Sequence, residues 1–260
     1  MVVKTRAIVI SSIKYQEKSL IVKCFTLSDG LKSYFVRDAF SSRKSNQKIA
    51  YFQPFSLLEI EAVHKNKGTL ENFKEIKLAV PFQTIHSDVV KSTIVLFLSE
   101  MMHYSIHEEE ENEALFTYLE TSLLWLDTHE DMANFHLIFL LEASKYLGFY
   151  PDISEMEFPF FEMKEGNFSP FSAVSSLTEH ETLLFKKLIN LKLQNKSHFY
   201  LINKDIFTLP FKNCLIFNRY SFSSHRKSSL WGKSNPKLSR CFGPAICPFF
   251  KSHIVQPSCK

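Results

Sequence analysis

Over the first 80 residues, apolar and polar positions alternate in short runs that are separated by turn residues. Runs of this kind, rich in Val, Ile and aromatic residues, are typical of half-buried β-strands. The pattern predicts five strands, at residues 5–13, 19–27, 31–37, 52–63 and 69–80. A polar and basic stretch between Phe40 and Tyr51 predicts a long loop. Five short strands with one long loop favour a small closed or nearly closed β-barrel.

From residue 88 onward, the spacing of apolar residues changes to that of amphipathic helices. Gly148 stands where a left-handed cap residue ends a helix, and Pro151 stops its continuation. Thr178 and Glu181 form a capping-box pattern that opens a further helix through residue 193. The spacing predicts the three earlier helices at residues 88–101, 112–126 and 132–147.

Charge divides the chain into three blocks that a net charge of +4 conceals. Residues 1–80 carry 14 Lys and Arg against 7 Asp and Glu, residues 81–195 carry 6 against 19, and residues 196–260 carry 11 against one. We therefore predict a basic β domain at 1–80, an acidic helical domain at 81–195 and a basic tail of low order at 196–260. The asymmetry suggests a polyanion as the partner of the basic domain.

Length and composition indicate a globular protein of about two domains, since 45% of the 260 residues are hydrophobic. The sequence contains no apolar run of the roughly 18 residues that a membrane helix needs, so we expect no membrane association. Five cysteines, four of them in the last block, do not form the spaced framework of a secreted protein. We therefore expect a cytoplasmic protein.

Two groups in the helical region could bind a metal. His103 and His107 lie one helical turn apart near Glu100, as in a zinc-binding helix pair, but the H-E-x-x-H order is absent and a surface helix face is the alternative. The acidic run 108–111 with Glu113 is a solvated helix junction or a carboxylate site for a metal-dependent nuclease. We expect neither group to hold a metal.

Other catalytic patterns are missing from the sequence. Cys241, Cys247 and Cys259 are spaced too widely for the close cysteine hooks of a zinc finger. Neither a glycine-rich phosphate loop nor a G-x-S-x-G elbow occurs, and the chain has six glycines in all. We therefore expect no enzyme activity and no cofactor.

The basic β domain is a candidate nucleic-acid-binding module. A groove whose cations follow the phosphates while aromatic faces stack on the bases is how barrel modules hold single strands. The alternative is that the aromatic residues are core and the lysines a solvated surface. The cations proposed to contact DNA are Arg6, Lys14, Lys32, Arg37, Arg43, Lys44, Lys48, Lys65 and Lys67. The interleaved aromatic residues are Tyr15, Phe25, Tyr34, Phe35, Phe40, Tyr51, Phe52 and Phe55.

Longer stretches of the sequence resemble one known family. The chain resembles the N-terminal barrel of the RecO family of recombination mediators, in its Bacteroidetes-type form, over KTRAIVISSIKYQEKSLIVKCFTLSDGLKSYFVR, the basic loop and AYFQPFSLLEIEAVHKNKGTLENFKEIK. It resembles the helical domain of that family over STIVLFLSEMMHYSIHEEEENEALFTYLETSLLWLDT and ANFHLIFLLEASKYLGFYPD. The resemblance runs from residue 1 to about residue 195.

This resemblance implies an α+β fold, in which a five-stranded OB-fold barrel is followed by an all-helical domain and an irregular C-terminal tail. It also implies a DNA repair and recombination mediator without catalytic residues, associated with the nucleoid. Such proteins bind single- and double-stranded DNA and anneal complementary strands. Their partners are RecR and single-stranded-DNA-binding protein, and they assist RecA indirectly. A protein-interaction adaptor that never touches nucleic acid is the alternative.

The sequence departs from the family at a zinc site. Many members carry four cysteines after the third helix, whereas residues 152–174 contain none and are rich in Phe and Pro. We predict an irregular connection here, without zinc. We expect packed aromatic residues to stabilise it instead, namely Phe158, Phe160, Phe161 and Phe168.

The second departure is the basic tail at 196–260, which lacks the closing helix and the K-S-L-E-V-L-like end of the family. Codons allowed for residues 236–242, read two nucleotides later, can encode P-K-x-F-E-V-L. We interpret the tail as the product of a frameshift. The alternative is a divergent basic tail that adds affinity for DNA.

Overall fold

Five antiparallel strands form the N-terminal domain of the computed structural model, which describes residues 1–40, 49–65, 70–107, 110–130 and 134–191. The five predicted strands are confirmed, and the strand order in the sheet is β3-β2-β1-β4-β5. Strand β1 is long because its first half pairs with β4 and its second half pairs with β2. The strands are β1 Val2–Tyr15, β2 Ser19–Thr26, β3 Gly30–Val36, β4 Leu57–Val63 and β5 Asn72–Val80.

The sheet closes into a barrel between β3 and the residue that precedes β5. The backbone amide of Phe35 donates to the carbonyl of Glu71 over 2.9 Å, and the amide of Glu71 donates to the carbonyl of Ser33 over 2.8 Å. These bonds flank a parallel bridge between Tyr34 and Glu71. Closure of five strands in this order confirms the OB-fold barrel.

The predicted fourth strand, at 52–63, is wrong in its first part, because β4 begins only at Leu57. Pro54 has no amide hydrogen to donate to a sheet ladder, which disfavours an inner strand there. Two fully buried aromatic rings occupy this segment instead. Phe52 fills the barrel interior, whereas Phe55 belongs to the core shared with the helices.

Four helices follow the barrel within the described residues, and both end signals predicted from the sequence are confirmed. Gly148 has a φ of +78° directly after the last residues of α3, and Thr178 with Glu181 forms the predicted capping box at α4. Asn112, which the sequence analysis did not mark as a cap, caps α2 by accepting a hydrogen bond from the amide of Leu115. The third helix begins at Phe135 and not at residue 132 as predicted. The helices are α1 Val89–Ser105, α2 Glu113–Thr128, α3 Phe135–Tyr146 and α4 Glu179–Ile189.

The prediction of an irregular connection at 152–174, within an all-helical domain, was wrong in one respect. The segment contains a hairpin of two three-residue strands, β6 Phe160–Glu162 and β7 Asn167–Ser169. Such short strands leave no alternation that a sequence could reveal. Two of the four expected aromatic residues, Phe161 and Phe168, are fully buried between the hairpin and α4, while Phe158 and Phe160 are half-buried.

The linker between the domains is held by Asp127 near the end of α2. Its carboxylate accepts hydrogen bonds from the backbone amides of Gln83, Thr84 and Ile85 over 2.8 to 3.0 Å. Partial burial raises the pKa of the Asp127 carboxyl, but these bonds and the Thr84 hydroxyl outweigh it, so the pKa lies below its ordinary value. The helical domain is therefore anchored to the end of the barrel by an ionised carboxylate.

Two further predictions concern features at the limits of the described chain. Within the described residues, no helix is long and apolar enough to cross a membrane. The tail at 196–260 lies outside the described residues. Its interpretation as a frameshift product therefore stays a prediction, which the nucleotide sequence of the gene tests.

Candidate nucleic-acid interface

The outer face of the sheet formed by β1, β2 and β3 consists of the side chains that point away from the barrel interior. Residues paired across antiparallel strands point to the same face. The rows of paired residues on this face, counted from the helical domain, are Ile8 with Phe25 and Leu31, Ser11 with Lys23 and Ser33, and Ile13 with Ile21 and Phe35.

The first row is the covered end of the outer face. Ile8 and Phe25 are fully buried, and Leu31 packs against the same cluster. The Phe25 ring lies 6.1 Å from that of Phe116 on α2, measured between centroids. At the adjacent turn, a Cβ on Gly30 would lie 2.1 Å from the carbonyl oxygen of Glu110. The helical domain therefore sits directly on this end of the sheet.

The last row belongs to the open end of the outer face, which we define as Ile13, Tyr15, Ile21 and Phe35. Ile13 is 57% exposed and Tyr15 is 44% exposed. The rings of Tyr15 and Phe35 meet edge to face, with centroids 6.1 Å apart. Exposed aromatic rings on the outside of a small barrel provide a surface on which bases can stack.

Cations lie at the strand ends beside the open end, with Lys14 on the opposite face of β1 from Tyr15. The Lys14 ammonium lies 5.4 Å from the centre of the Phe40 ring, and the backbone of Phe40 donates to the carbonyl of Lys18. Arg37 follows β3 directly and is exposed. Among the residues that the structure describes, Lys14, Lys18 and Arg37 form no salt bridge. Their charges are therefore available to an anion.

The β4–β5 side of the barrel differs, because its cations are neutralised by carboxylates. Lys4 and Lys74 both approach Glu61, at 3.3 and 3.9 Å. Lys77 pairs with Glu75 at 2.8 Å. A phosphate on this side would have to compete with a carboxylate for each cation, which favours the open end as the nucleic-acid interface.

The structure describes five of the nine cations proposed from the sequence. Lys14 and Arg37 lie at the open end, and Lys65 is exposed at the end of β4. Lys32 is 8% exposed and pairs with Cys24 on the inner side of the sheet. Arg6 is bound by the helical domain, as described next. The other four, Arg43, Lys44, Lys48 and Lys67, lie outside the described residues.

Arg6 connects the barrel to α2. One of its guanidinium nitrogens donates to both carboxylate oxygens of Glu120, over 2.6 and 2.7 Å. The guanidinium also lies 5.5 Å from the centre of the Phe116 ring. Arg6 therefore has a structural partner on each side, which gives it a role in holding the two domains together.

Some of the aromatic residues of the barrel are core residues, and others are exposed and could stack on bases. Phe25, Tyr34, Phe52 and Phe55 are core, with at most 2% of each side chain exposed. Tyr15 and Phe40 are exposed, and Phe35 and Tyr51 are half-buried. The strand register separates the two sets, since adjacent residues such as Tyr34 and Phe35 point to opposite faces. Composition alone could not separate the two sets, but the alternation of successive strand residues between the two faces of the sheet could have.

A buried chain of hydrogen bonds joins Tyr34, His64 and Asp29. The Tyr34 hydroxyl and His64 Nε2 are hydrogen-bonded over 2.7 Å, and His64 Nδ1 and the Asp29 carboxylate are hydrogen-bonded over 3.0 Å. Burial, followed by the charges of Cys24, Asp29 and Glu71, raises the pKa of Tyr34. Tyr34 and His64 are buried and only Asp29 is partly exposed, so these bonds tie β3 to the turn before it and to the residues after β4.

The metal interpretations find no support in the described part of the chain. Within the ranges that the structure describes, no group of three His, Cys, Asp or Glu residues could hold a metal ion. His103 instead lies beside β1, with its Nδ1 3.1 Å from the Ser11 hydroxyl. Residues 108 and 109 and the three tail cysteines lie outside the described residues.

Comparison with known proteins identifies both halves of the described chain. The family model for "Recombination protein O N terminal" matches residues 1–82, and the model for "Recombination protein O C terminal" matches residues 86–188.

Three curated relatives carry the name "DNA repair protein RecO". The protein of Flavobacterium psychrophilum is 77% identical over 197 residues, which are 76% of this chain and 83% of the relative. That of Flavobacterium johnsoniae is 71% identical over 207 residues, 79% of this chain and 87% of the relative. That of Bacteroides fragilis is 40% identical over 171 residues, 65% of this chain and 70% of the relative. The chain therefore belongs to the RecO family of DNA repair and recombination proteins.

Proposed function

We propose that this protein binds single- and double-stranded DNA at the open end of its barrel and anneals complementary strands. The observation that carries the proposal is that Lys14, Lys18 and Arg37 have no carboxylate partner among the described residues and lie at the same end of the barrel as the exposed rings of Tyr15 and Phe40. The basic loop predicted from the sequence follows Phe40 directly, which adds Arg43, Lys44 and Lys48 to the same part of the chain.

Two different forces hold the strand in this proposal. Cations that neutralise phosphates release counterions, so affinity falls as the salt concentration rises. Stacking of a base on Tyr15 or Phe35 does not depend on sequence, because every base has an aromatic face. Double-stranded DNA offers the phosphates but not free base faces, so we expect it to bind through the cations alone.

Annealing follows from the same surface. Two complementary strands repel each other, and a protein that neutralises phosphates on both strands lowers that barrier. Since no nucleotide or metal is needed for this step, the protein should accelerate annealing in EDTA without ATP. If chelation abolishes the acceleration, the metal-free mechanism is wrong.

The helical domain is the proposed surface for protein partners. Its excess of carboxylates repels DNA and leaves it free for RecR and for single-stranded-DNA-binding protein. Through these partners the protein would assist the loading of RecA. This part of the proposal is supported by membership of the RecO family.

The test is binding of a fluorescently labelled single-stranded oligonucleotide at two salt concentrations, each with and without Mg²⁺. We expect binding that weakens with salt and no cleavage of the oligonucleotide. Absence of binding at the lower salt concentration would favour a protein-interaction adaptor. Cleavage that depends on Mg²⁺ would instead favour a nuclease that uses the acidic run at 108–113.

A further inference from the structure

The C-terminal end of α1 touches the outer face of the barrel next to the open end. His103 Nδ1 lies 3.1 Å from the hydroxyl of Ser11 on β1. Ser11 pairs with Lys23 on β2, so both residues belong to the row between the covered and the open end. The positive charge of Lys23 is close enough to lower the pKa of His103. One imidazole and one ammonium group are therefore both neighbours of Ser11, where the two domains meet.

This part of the helical domain differs from the rest in its charge. Within α1, Glu100 is the one acidic residue among 17. The ring of Tyr104 meets the His103 ring edge to face, with centroids 5.1 Å apart. The acidic run begins only at residue 108, and the Glu110 backbone contacts Gly30 at the covered end. Residues 101–107, at the end of α1 and just beyond it, contain no acidic residue, so a polyanion that reaches Ser11 can approach them without meeting a carboxylate on that stretch.

We propose that the nucleic-acid interface continues from the open end across Ser11 onto α1, where Lys23 and His103 bind one phosphate together. The inference rests on the proposed function, because it extends the same strand beyond Tyr15 and Phe35. It assigns to the helical domain a direct contact with DNA at a single point. The acidic run then marks where the interface stops, since a strand that went further would meet carboxylates.

If His103 binds a phosphate, binding of DNA should change the protonation of His103, which a purely structural hydrogen bond to Ser11 would not do. Burial, the charge of Lys23 and the charge of His107 all lower the pKa of the imidazole, which favours its neutral form. A phosphate placed beside it favours the protonated form and raises the pKa again. Binding of DNA at about pH 6 should therefore take up a proton, and affinity should rise as the pH falls.

The groups that face His103 come from three elements. They are Ser11 on β1, Lys23 on β2, and His107 with Tyr104 at the end of α1. Among the described residues, none of the charged groups that influence the pKa of His103 is a carboxylate. Protonation of His103 without DNA consequently meets repulsion from Lys23, and a bound phosphate removes that repulsion.

The experiment compares the full-length protein with His103→Gln by titration calorimetry, using a single-stranded oligonucleotide at pH 6.0 in two buffers of different ionisation enthalpy. We expect the unaltered protein to take up a fraction of a proton on binding. That fraction should disappear in His103→Gln and remain in the control His180→Gln, whose histidine lies exposed on α4. Equal uptake by the unaltered protein and His103→Gln overturns the inference.

A second measurement does not depend on His103→Gln being folded. At pH 8, where His103 is neutral, Lys23→Ala should flatten the plot of log affinity against log salt by about 0.7, the contribution of one phosphate on a single strand. An unchanged slope places the strand elsewhere and overturns the inference. If the unaltered protein binds no oligonucleotide at all, the proposed function fails instead.

Discussion

The covered end and the open end of the outer face carry similar residue types, but only the covered end is buried by the helical domain. Ile8 and Phe25 at the covered end are an aliphatic and an aromatic residue paired across β1 and β2. Ile21 and Phe35 at the open end are a similar pair across β2 and β3. The first pair is buried under α1 and α2, and the second stays accessible.

An apolar strand face therefore becomes buried only where another secondary-structure element packs against it. The helices cover Ile8, Phe25 and Leu31 of the first row, and with them Ile10, whereas at Ser11 the contact is a polar one with His103. Beyond Ser11 the sheet continues into the open end without a cover from any described residue. Apolar residues left accessible beside cations are typical of a binding surface.

The largest effect is expected from a substitution at the covered end, in the turn between β2 and β3. Gly30→Ala places a Cβ 2.1 Å from the Glu110 carbonyl oxygen at a φ of +63°, so we expect the free energy of unfolding to fall by roughly 3 kcal/mol. Urea unfolding measures this. Gly148→Ala is the matched control, because Gly148 has a φ of +78° and no atom within 4 Å of the added Cβ. It should lose only about 1 kcal/mol.

If both glycine variants lose the same stability, the contact between the turn and the helical domain does not matter. In that case the covered end owes its stability to the side-chain cluster alone. Binding of DNA by the folded fraction of Gly30→Ala should in either case remain, since the turn lies away from Tyr15 and Phe35.

At the open end, the largest expected effect is on affinity and not on stability. Replacing both Tyr15 and Phe35 with Ala removes two stacking surfaces, so single-stranded DNA should bind more weakly by at least about 2 kcal/mol, roughly thirtyfold. Fluorescence anisotropy measures this. Binding of double-stranded DNA should change much less. Phe171→Ala, on an exposed loop of the helical domain, is the control and should leave both affinities unchanged.

The cations give the next largest effect. Replacing Lys14, Lys18 and Arg37 with Ala should flatten the salt dependence of single-stranded DNA binding by about two units of slope. The matched control replaces Lys4, Lys74 and Lys77, whose charges are held by carboxylates, and should leave the slope unchanged. The loop residues Arg43, Lys44 and Lys48 lie outside the described residues, and their triple Ala variant tests the sequence prediction separately.

The smallest effect is expected at Arg6. Arg6→Ala removes the pair with Glu120 and the contact with Phe116, which should lower the free energy of unfolding by about 1 kcal/mol. A double-mutant cycle with Glu120→Ala measures the coupling. The salt slope for DNA should stay unchanged. A flatter slope would return Arg6 to the DNA-binding residues predicted from the sequence.

Much of the fold could be predicted because local chemistry marks it. The run of Val and Ile in β1, the Thr178 capping box and the left-handed Gly148 after α3 act within a few residues, so the sequence contains them completely. The segment 52–56 could not be predicted, because Phe52 and Phe55 are buried by residues far away in the chain. The sequence predicted which domain binds nucleic acid but not which of its faces does. The face depends on which cations form salt bridges with carboxylates, and only the structure shows that.

During translation, the covered end is exposed to solvent until the helices that bury it have been synthesised. Residues 2–36, which form β1 to β3, leave the ribosome well before α2, which ends at Thr128. At about 5 to 20 residues per second, the interval is roughly 5 to 20 s. During that time Ile8, Phe25 and Leu31 lack the helices that later bury them. The nascent chain therefore displays apolar side chains at both ends of this sheet face, separated by the row of Ser11, Lys23 and Ser33. It is most exposed to aggregation and to chaperones before its helical domain exists.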